Sequence, residues 1–235
     1  MNARRFSAAE VCHASTPGVD QDASKVRARR MILILGMHRS GTSALARLLG
    51  LCGAALPPQP TSDSHESNPL GHWESQRIVD VHNSFLRMSG TSWDDILSYP
   101  KAMFSSDTAR AYQRRLINTI RKEYGDADLF VLKDPRTSRL MPLWLPILKS
   151  LDVVPLVIIP VRNPLEVADS LRKRNGWDQH RALLVWMRYM LSAERESRHV
   201  KRCFVRYDQL IEIGEPLLRR YLSGLISRFR SATRY

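Results

Sequence analysis

Cysteine, acidic side chains and long apolar runs are all scarce in this sequence. Its 3 cysteines, Cys12, Cys52 and Cys203, are odd in number and widely spaced. That pattern excludes a disulfide framework and a cysteine zinc site, and it fits a reducing compartment. Residues 1–30 carry arginines early but no continuous apolar segment, and the apolar stretch that opens at Met31 is broken by His38-Arg39-Ser40-Gly41-Thr42-Ser43. Neither a signal peptide nor a membrane anchor is expected, so the chain is expected to be cytoplasmic, without a transmembrane segment. Asp and Glu total 23 against 36 Lys and Arg, a formal charge of +13. Such a surplus favours an anionic ligand, whether nucleotide, acidic glycan, nucleic acid or membrane surface. Much of it sits at the ends, in Arg4, Arg5, Lys25, Arg27, Arg29 and Arg30 and again in Arg219, Arg220, Arg228, Arg230 and Arg234, where a solvated basic tail is the plain reading. No nucleic-acid motif accompanies the charge, so no nucleic-acid partner is expected, and there is no internal repeat.

What the sequence does contain is one α/β domain's worth of alternating strands and helices in 235 residues. Residues 1–30 read as a basic, disordered extension and 31–235 as the domain. Short apolar runs at 31–35, 129–132, 153–161 and 203–206 predict buried strands. Helical periodicity or capping predicts helices over 44–49, 75–88, 106–124, 139–151, 164–174 and 179–198. The helix at 139–151 must accommodate Pro142 and Pro146. The last long helix is expected to bury Leu183, Leu184, Trp186, Met187, Met190 and Leu191. Residues 52–68, rich in Pro, Ser, Gly and Asp, are expected to be irregular. The alternation implies a P-loop-like, three-layer α/β domain, with a central, mainly parallel sheet flanked by helices and its ligand at the carboxyl ends of the strands.

The loop after the first strand, Gly36-Met37-His38-Arg39-Ser40-Gly41-Thr42-Ser43, fits G-x-x-x-x-G-x-[ST]. Gly36 and Gly41 permit the tight turn, and the loop amides and helix N-terminus present donors to an anion. One element of the phosphate-binding pattern is missing, because Thr42 stands where a nucleotide-hydrolysing loop has its lysine. Arg39 supplies a cation three residues earlier. A second constellation lies in Pro160-Val161-Arg162-Asn163-Pro164 and onward to Ser170, where an arginine leaves a strand and a hydroxyl follows roughly two helical turns later. A guanidinium suits bidentate phosphate contact. Arg172, Lys173 and Arg174 read equally well as an addition to this field or as a solvated helix face.

The two motifs, in this order, resemble those of sulfotransferases that use 3′-phosphoadenosine 5′-phosphosulfate (PAPS), of the bacterial type within the P-loop-like sulfotransferase superfamily. The resemblance spans about residues 31–208, including the strand and turn in Lys201-Arg202-Cys203-Phe204-Val205-Arg206-Tyr207-Asp208. It implies that Arg39, Ser40, Gly41, Thr42 and Ser43 hold the 5′-phosphosulfate, that Arg162 and Ser170 hold the 3′-phosphate, and that no metal is needed. It further implies sulfuryl transfer to a hydroxyl or amine of a small-molecule, glycan or lipid acceptor, with Arg39 and Lys133 stabilising charge on the departing phosphate. The general base of this superfamily is a histidine or glutamate. By placement that role goes first to Glu74, then to His72, with Asp134 third; a capping carboxylate for the helix at 75–88 is the plain alternative for Glu74. His38 reads as loop packing. The cytosolic animal branch has a late glycine-rich basic loop that residues 211–235 do not reproduce, so the domain's end reads as atypical, truncated or altered, and the adenine contacts are unassigned.

Two other functions share parts of this pattern. A P-loop kinase or nucleotide-binding phosphotransferase shares the strand and glycine loop but needs the absent lysine and an acidic magnesium partner, which Lys133-Asp134 could imitate. A non-catalytic basic nucleotide-binding module needs only the charge. Acceptor contacts are expected from 56–73 and 88–105, where Trp73, Trp93 and Tyr99 could stack on a sugar or aromatic ring or be ordinary core aromatics.

Overall fold

The computed structural model describes residues 28–58 and 71–212. Residues 1–27, 59–70 and 213–235 lie outside the described residues, so the expectations that fall on them go no further; the expected boundary of the disordered extension at residue 30 is corrected, because Arg29 and Arg30 belong to the first strand.

Among the described residues four strands, β1 (Arg29–Ile34), β2 (Leu129–Lys133), β3 (Val153–Val161) and β4 (Lys201–Arg206), form a parallel sheet in the order β2-β1-β3-β4. The apolar runs read from the sequence pair in register: Leu33 lies between Leu132 and Val157. β1 starts two residues before the apolar run does. Arg29, counted above with the tail charges, is anchored there by donating Nε to the Ala127 carbonyl at 3.2 Å and Nη2 to the Gly125 carbonyl at 2.6 Å. Among the described residues, α1 (Thr42–Leu51), α2 (Gln76–Met88), α3 (Asp107–Tyr124), α4 (Thr137–Ser150), α5 (Pro164–Asn175) and α6 (Gln179–Glu196) lie in the crossovers, and α7 (Tyr207–Glu212) follows β4. Ser75, Ser106 and Asp178 cap α2, α3 and α6 by accepting backbone N–H bonds.

Because a parallel strand is covered on both faces, alternate residues feed two cores. Leu33, Phe130, Leu132, Val157 and Ile159 pack against Ile78, Phe85, Leu116, Trp144 and Ile147 of α2, α3 and α4. Ile32, Ile34, Val131, Leu156, Ile158 and Val205 face Leu45, Ala46 and Leu49 of α1 and Leu210 of α7. A third cluster ties Met37 of the loop after β1 to Val167, Ala168 and Leu171 of α5 and Ala182, Val185 and Tyr189 of α6. The two prolines of α4 sit inside a continuous helix that begins at Thr137, earlier than its periodicity suggests.

The expected inner face of α6 is corrected. Ala182, Val185, Tyr189, Ser192 and Ala193 are buried, whereas Leu184, Met187 and Leu191 are 44%, 45% and 56% exposed, and Leu183, Trp186 and Met190 are only partly covered. α6 packs against both α5 and α4, and close helix approach selects small side chains at the contact line, displacing the larger apolar residues to the flank. Among the described residues no helix is long and apolar enough to cross a membrane.

Candidate functional site

β1 and β3 are adjacent, yet the chain leaves β1 toward β2 on one side and reaches β3 on the other, which opens a crevice at their carboxyl ends. The glycine loop fills this crevice. Gly36 donates its N–H to Ser138 Oγ at 2.8 Å, and that hydroxyl donates back to the Gly36 carbonyl at 3.1 Å, pinning the loop's entry to α4. Arg39 (φ 67°) and Gly41 (φ 86°) both adopt the left-handed conformation. At Gly41 glycine is required twice over, because a Cβ there would sit 2.5 Å from the Tyr207 ring. α1 then begins at Thr42 with no side chain capping its first turn, so its leading amides face the loop's concavity. Ser40 Oγ and His38 Nε2 are buried without a hydrogen-bond partner among the described residues. Unpartnered polar atoms around a glycine cradle fit a bound oxyanion.

The loop arginine and the distant arginine–serine pair meet directly. Arg39 Nε donates to Ser170 Oγ at 2.8 Å, and Arg162 Nη1 donates to the Arg39 carbonyl at 3.0 Å. Arg162 is further held by Glu166 Oε2 at 2.9 Å and lies 4.3 Å from the centre of the Tyr207 ring. Burial, and then the Arg162 guanidinium, draw Arg39 below its ordinary pKa.

The opposite wall carries the remaining candidates. Lys133, at the end of β2, donates Nζ to Glu74 Oε1 and, at 2.7 Å, to the His72 carbonyl, which also accepts Ser43 Oγ–H at 3.2 Å. Glu74 and Lys133 are both buried, yet they line the same cavity as Arg39, Gly41, Thr42, Ser43 and Arg162. His72 contributes its backbone to this joint and also lines the cavity.

Asp134 is differently employed. Trp144 Nε1 donates to His82 Nε2 at 3.0 Å, which leaves the imidazole proton on Nδ1, and Nδ1 donates to Asp134 Oδ2 at 2.7 Å. Asp134 Oδ1 accepts from the backbone N–H and guanidinium of Arg136 at 3.0 and 2.9 Å. Burial alone would raise this carboxyl, but Arg136 and the His82 bond outweigh it and hold it well below the carboxylate range. Both oxygens are committed to anchoring the β2–α4 turn.

Arg174 and Tyr207 have no firm place in the sequence reading, His38 is read there as loop packing, and all three line the cavity. Arg174, on the same face of α5 as Ser170, lines the cavity, while its neighbours Arg172 and Lys173 are exposed. Tyr207 closes the cradle over Gly41. His38 forms edge contacts with Trp93 and Tyr189, at 4.9 and 5.9 Å between ring centres, and its pKa falls well below the ordinary value through burial and then the Arg136 and Arg174 charges. Trp93 stacks on Trp177 at 5.4 Å, and Tyr99 lies 3.8 Å from the Arg139 guanidinium, and both pack against the core. Among the described residues no three His, Cys, Asp or Glu side chains gather as metal ligands would.

No protein-family model matches this chain, and no curated protein matches it. Among solved structures, the sulfotransferase domain from the Synechococcus PCC 7002 olefin synthase is similar in chain path, with 17% identity and a TM-score of 0.49 over 86% of this chain and 75% of that one.

Proposed function

We propose that this protein is a sulfotransferase that passes a sulfuryl group from PAPS to a hydroxyl or amine of an acceptor. The observation that carries the reading is the convergence of Arg39, Arg162 and Ser170, from separate elements, at the crevice beside an uncapped helix N-terminus. Two clusters of anion donors in contact suit a ligand with two separate anionic groups better than one with a single polyphosphate tail. In this reading the loop amides, Ser40, Thr42 and Ser43 hold the 5′-phosphosulfate, while Arg162 and Ser170 take the 3′-phosphate.

The reaction follows from these placements. The acceptor oxygen or nitrogen attacks sulfur as the bond from sulfur to the 5′-phosphate oxygen breaks, and 3′-phosphoadenosine 5′-phosphate (PAP) leaves. Arg39 and Lys133 are preorganised beside the oxygen on which charge grows. Glu74 takes the acceptor's proton through Oε2, its other oxygen being engaged by Lys133. Lys133 thereby orients the base on one side and faces the leaving group on the other.

The kinase reading is disfavoured by a specific arrangement. The acidic residue that would assist magnesium, Asp134, has both oxygens bound within the protein and is 1% exposed. Calorimetric titration separates the readings: PAP should bind more tightly than ATP in EDTA, with no gain from magnesium. Equal or tighter binding of ATP, or magnesium-dependent ATP turnover, would replace the sulfotransferase reading with the kinase one.

A further inference from the structure

Arg174 is a cation that none of the assigned groups needs. It stands one helical turn beyond Ser170, and an i, i+4 relation puts both on one face of α5, the face turned to the glycine loop. Its Nε donates to the neutral Asn175 Oδ1 at 2.8 Å, and among the described residues no carboxylate lies within ion-pair distance of it. The guanidinium carbon lies 5.7 Å from the centre of the Trp93 ring, inside the cavity that also contains Arg39, Glu74 and Lys133.

Two guanidiniums that share a partly desolvated cavity repel each other. Burial and then Arg39 lower the pKa of Arg174, with Glu74 opposing from the far wall. His38, beside them, is driven toward its neutral form in part by the same Arg174 charge. A half-buried guanidinium that no carboxylate pairs is compensated where an anionic ligand supplies the counter-charge. The unpartnered Ser40 hydroxyl and His38 Nε2 nearby point the same way.

We propose that Arg174 binds the sulfonate end of the donor, the group that is transferred. This rests on the sulfotransferase reading and adds a specificity: Arg162 and Ser170 recognise the 3′-phosphate, the loop recognises the 5′-phosphate, and Arg174, which lines the same cavity as Arg39 and Glu74, recognises the group that PAPS has and PAP lacks. Arg174 would then help hold sulfur in line between the loop and the base.

The test is titration calorimetry of PAPS and PAP, each on the wild type, Arg174→Ala, Arg174→Lys and Arg172→Ala, without acceptor. Thermal melts verify that each variant is folded. Arg174→Ala should weaken PAPS about tenfold while leaving PAP within about twofold, and Arg174→Lys should recover part of the loss. Arg172→Ala removes the same charge from an exposed neighbouring position and should change neither ligand. Equal losses for PAPS and PAP, or no loss for either, would overturn the inference while leaving the sulfotransferase reading intact. Failure of the wild type to bind PAP would overturn that reading and this inference with it.

Discussion

At the scale of single residues, the site depends on which side chains are already spent. Asp134 is the clearest case, since its two oxygens receive His82, the Arg136 backbone and the Arg136 guanidinium. Asp134→Asn should cost about 3 kcal/mol at neutral pH, because it leaves Arg136 and His82 around an uncharged group. The pH dependence follows from the direction of the shift. The folded carboxyl titrates well below its unfolded value near 3.9, so its contribution is fully present above about pH 4 and fades as pH falls below it. Urea melts of wild type and Asp134→Asn should therefore differ most at pH 7 and converge as the pH is lowered through 4 to 2.5. A gap that stays constant would show that the Asp134 charge is not what stabilises the turn. None of this is visible in the sequence, because His82 lies 52 positions from Asp134 and Trp144 lies 62 from His82. Arg174 was legible only in part: the spacing from Ser170 gives its phase on α5, but not which face of α5 meets the loop.

At the scale of elements, the strands and the glycine loop could be read directly, because apolar runs bounded by polar turns have few other uses in a chain of this length. β3 coincides with the run at 153–161, and the helix expected over 106–124 differs from α3 by one residue. α6 was misread for a physical reason. Hydrophobic size predicts which residues prefer burial, but close approach to α5 and α4 rewards small ones, so Ala182 and Ala193 are inside and Leu184 and Leu191 outside. The seam between the glycine loop and the β4–α7 junction is another contact that sequence alone does not disclose. Gly41→Ala sets a methyl 2.5 Å from the Tyr207 ring in a left-handed conformation, and should destabilise the protein by about 3 kcal/mol from strain and overpacking together. In a Tyr207→Ala background the clash disappears, and the same substitution should cost only about 1 kcal/mol, the conformational part. Denaturant melts of the four proteins check this. An undiminished penalty in the double variant would mean that Tyr207 does not close the cradle.

At the scale of the whole molecule, a charge of +13 draws anions to the protein without choosing among them. The choice falls to the crevice between β1 and β3, where chain topology brings a loop at 36–43 against residues at 162–174. The central claim is that this crevice holds two separated anionic groups, with Arg162 responsible for the one on the ribose. Calorimetry with PAP and with adenosine 5′-monophosphate, which lacks only the 3′-phosphate, tests that claim most directly. Wild type should bind PAP at least about tenfold more tightly than the monophosphate, and Arg162→Ala should bring the two within about twofold of each other. A wild type indifferent to the 3′-phosphate, or an Arg162→Ala variant that keeps the full preference, would contradict the account.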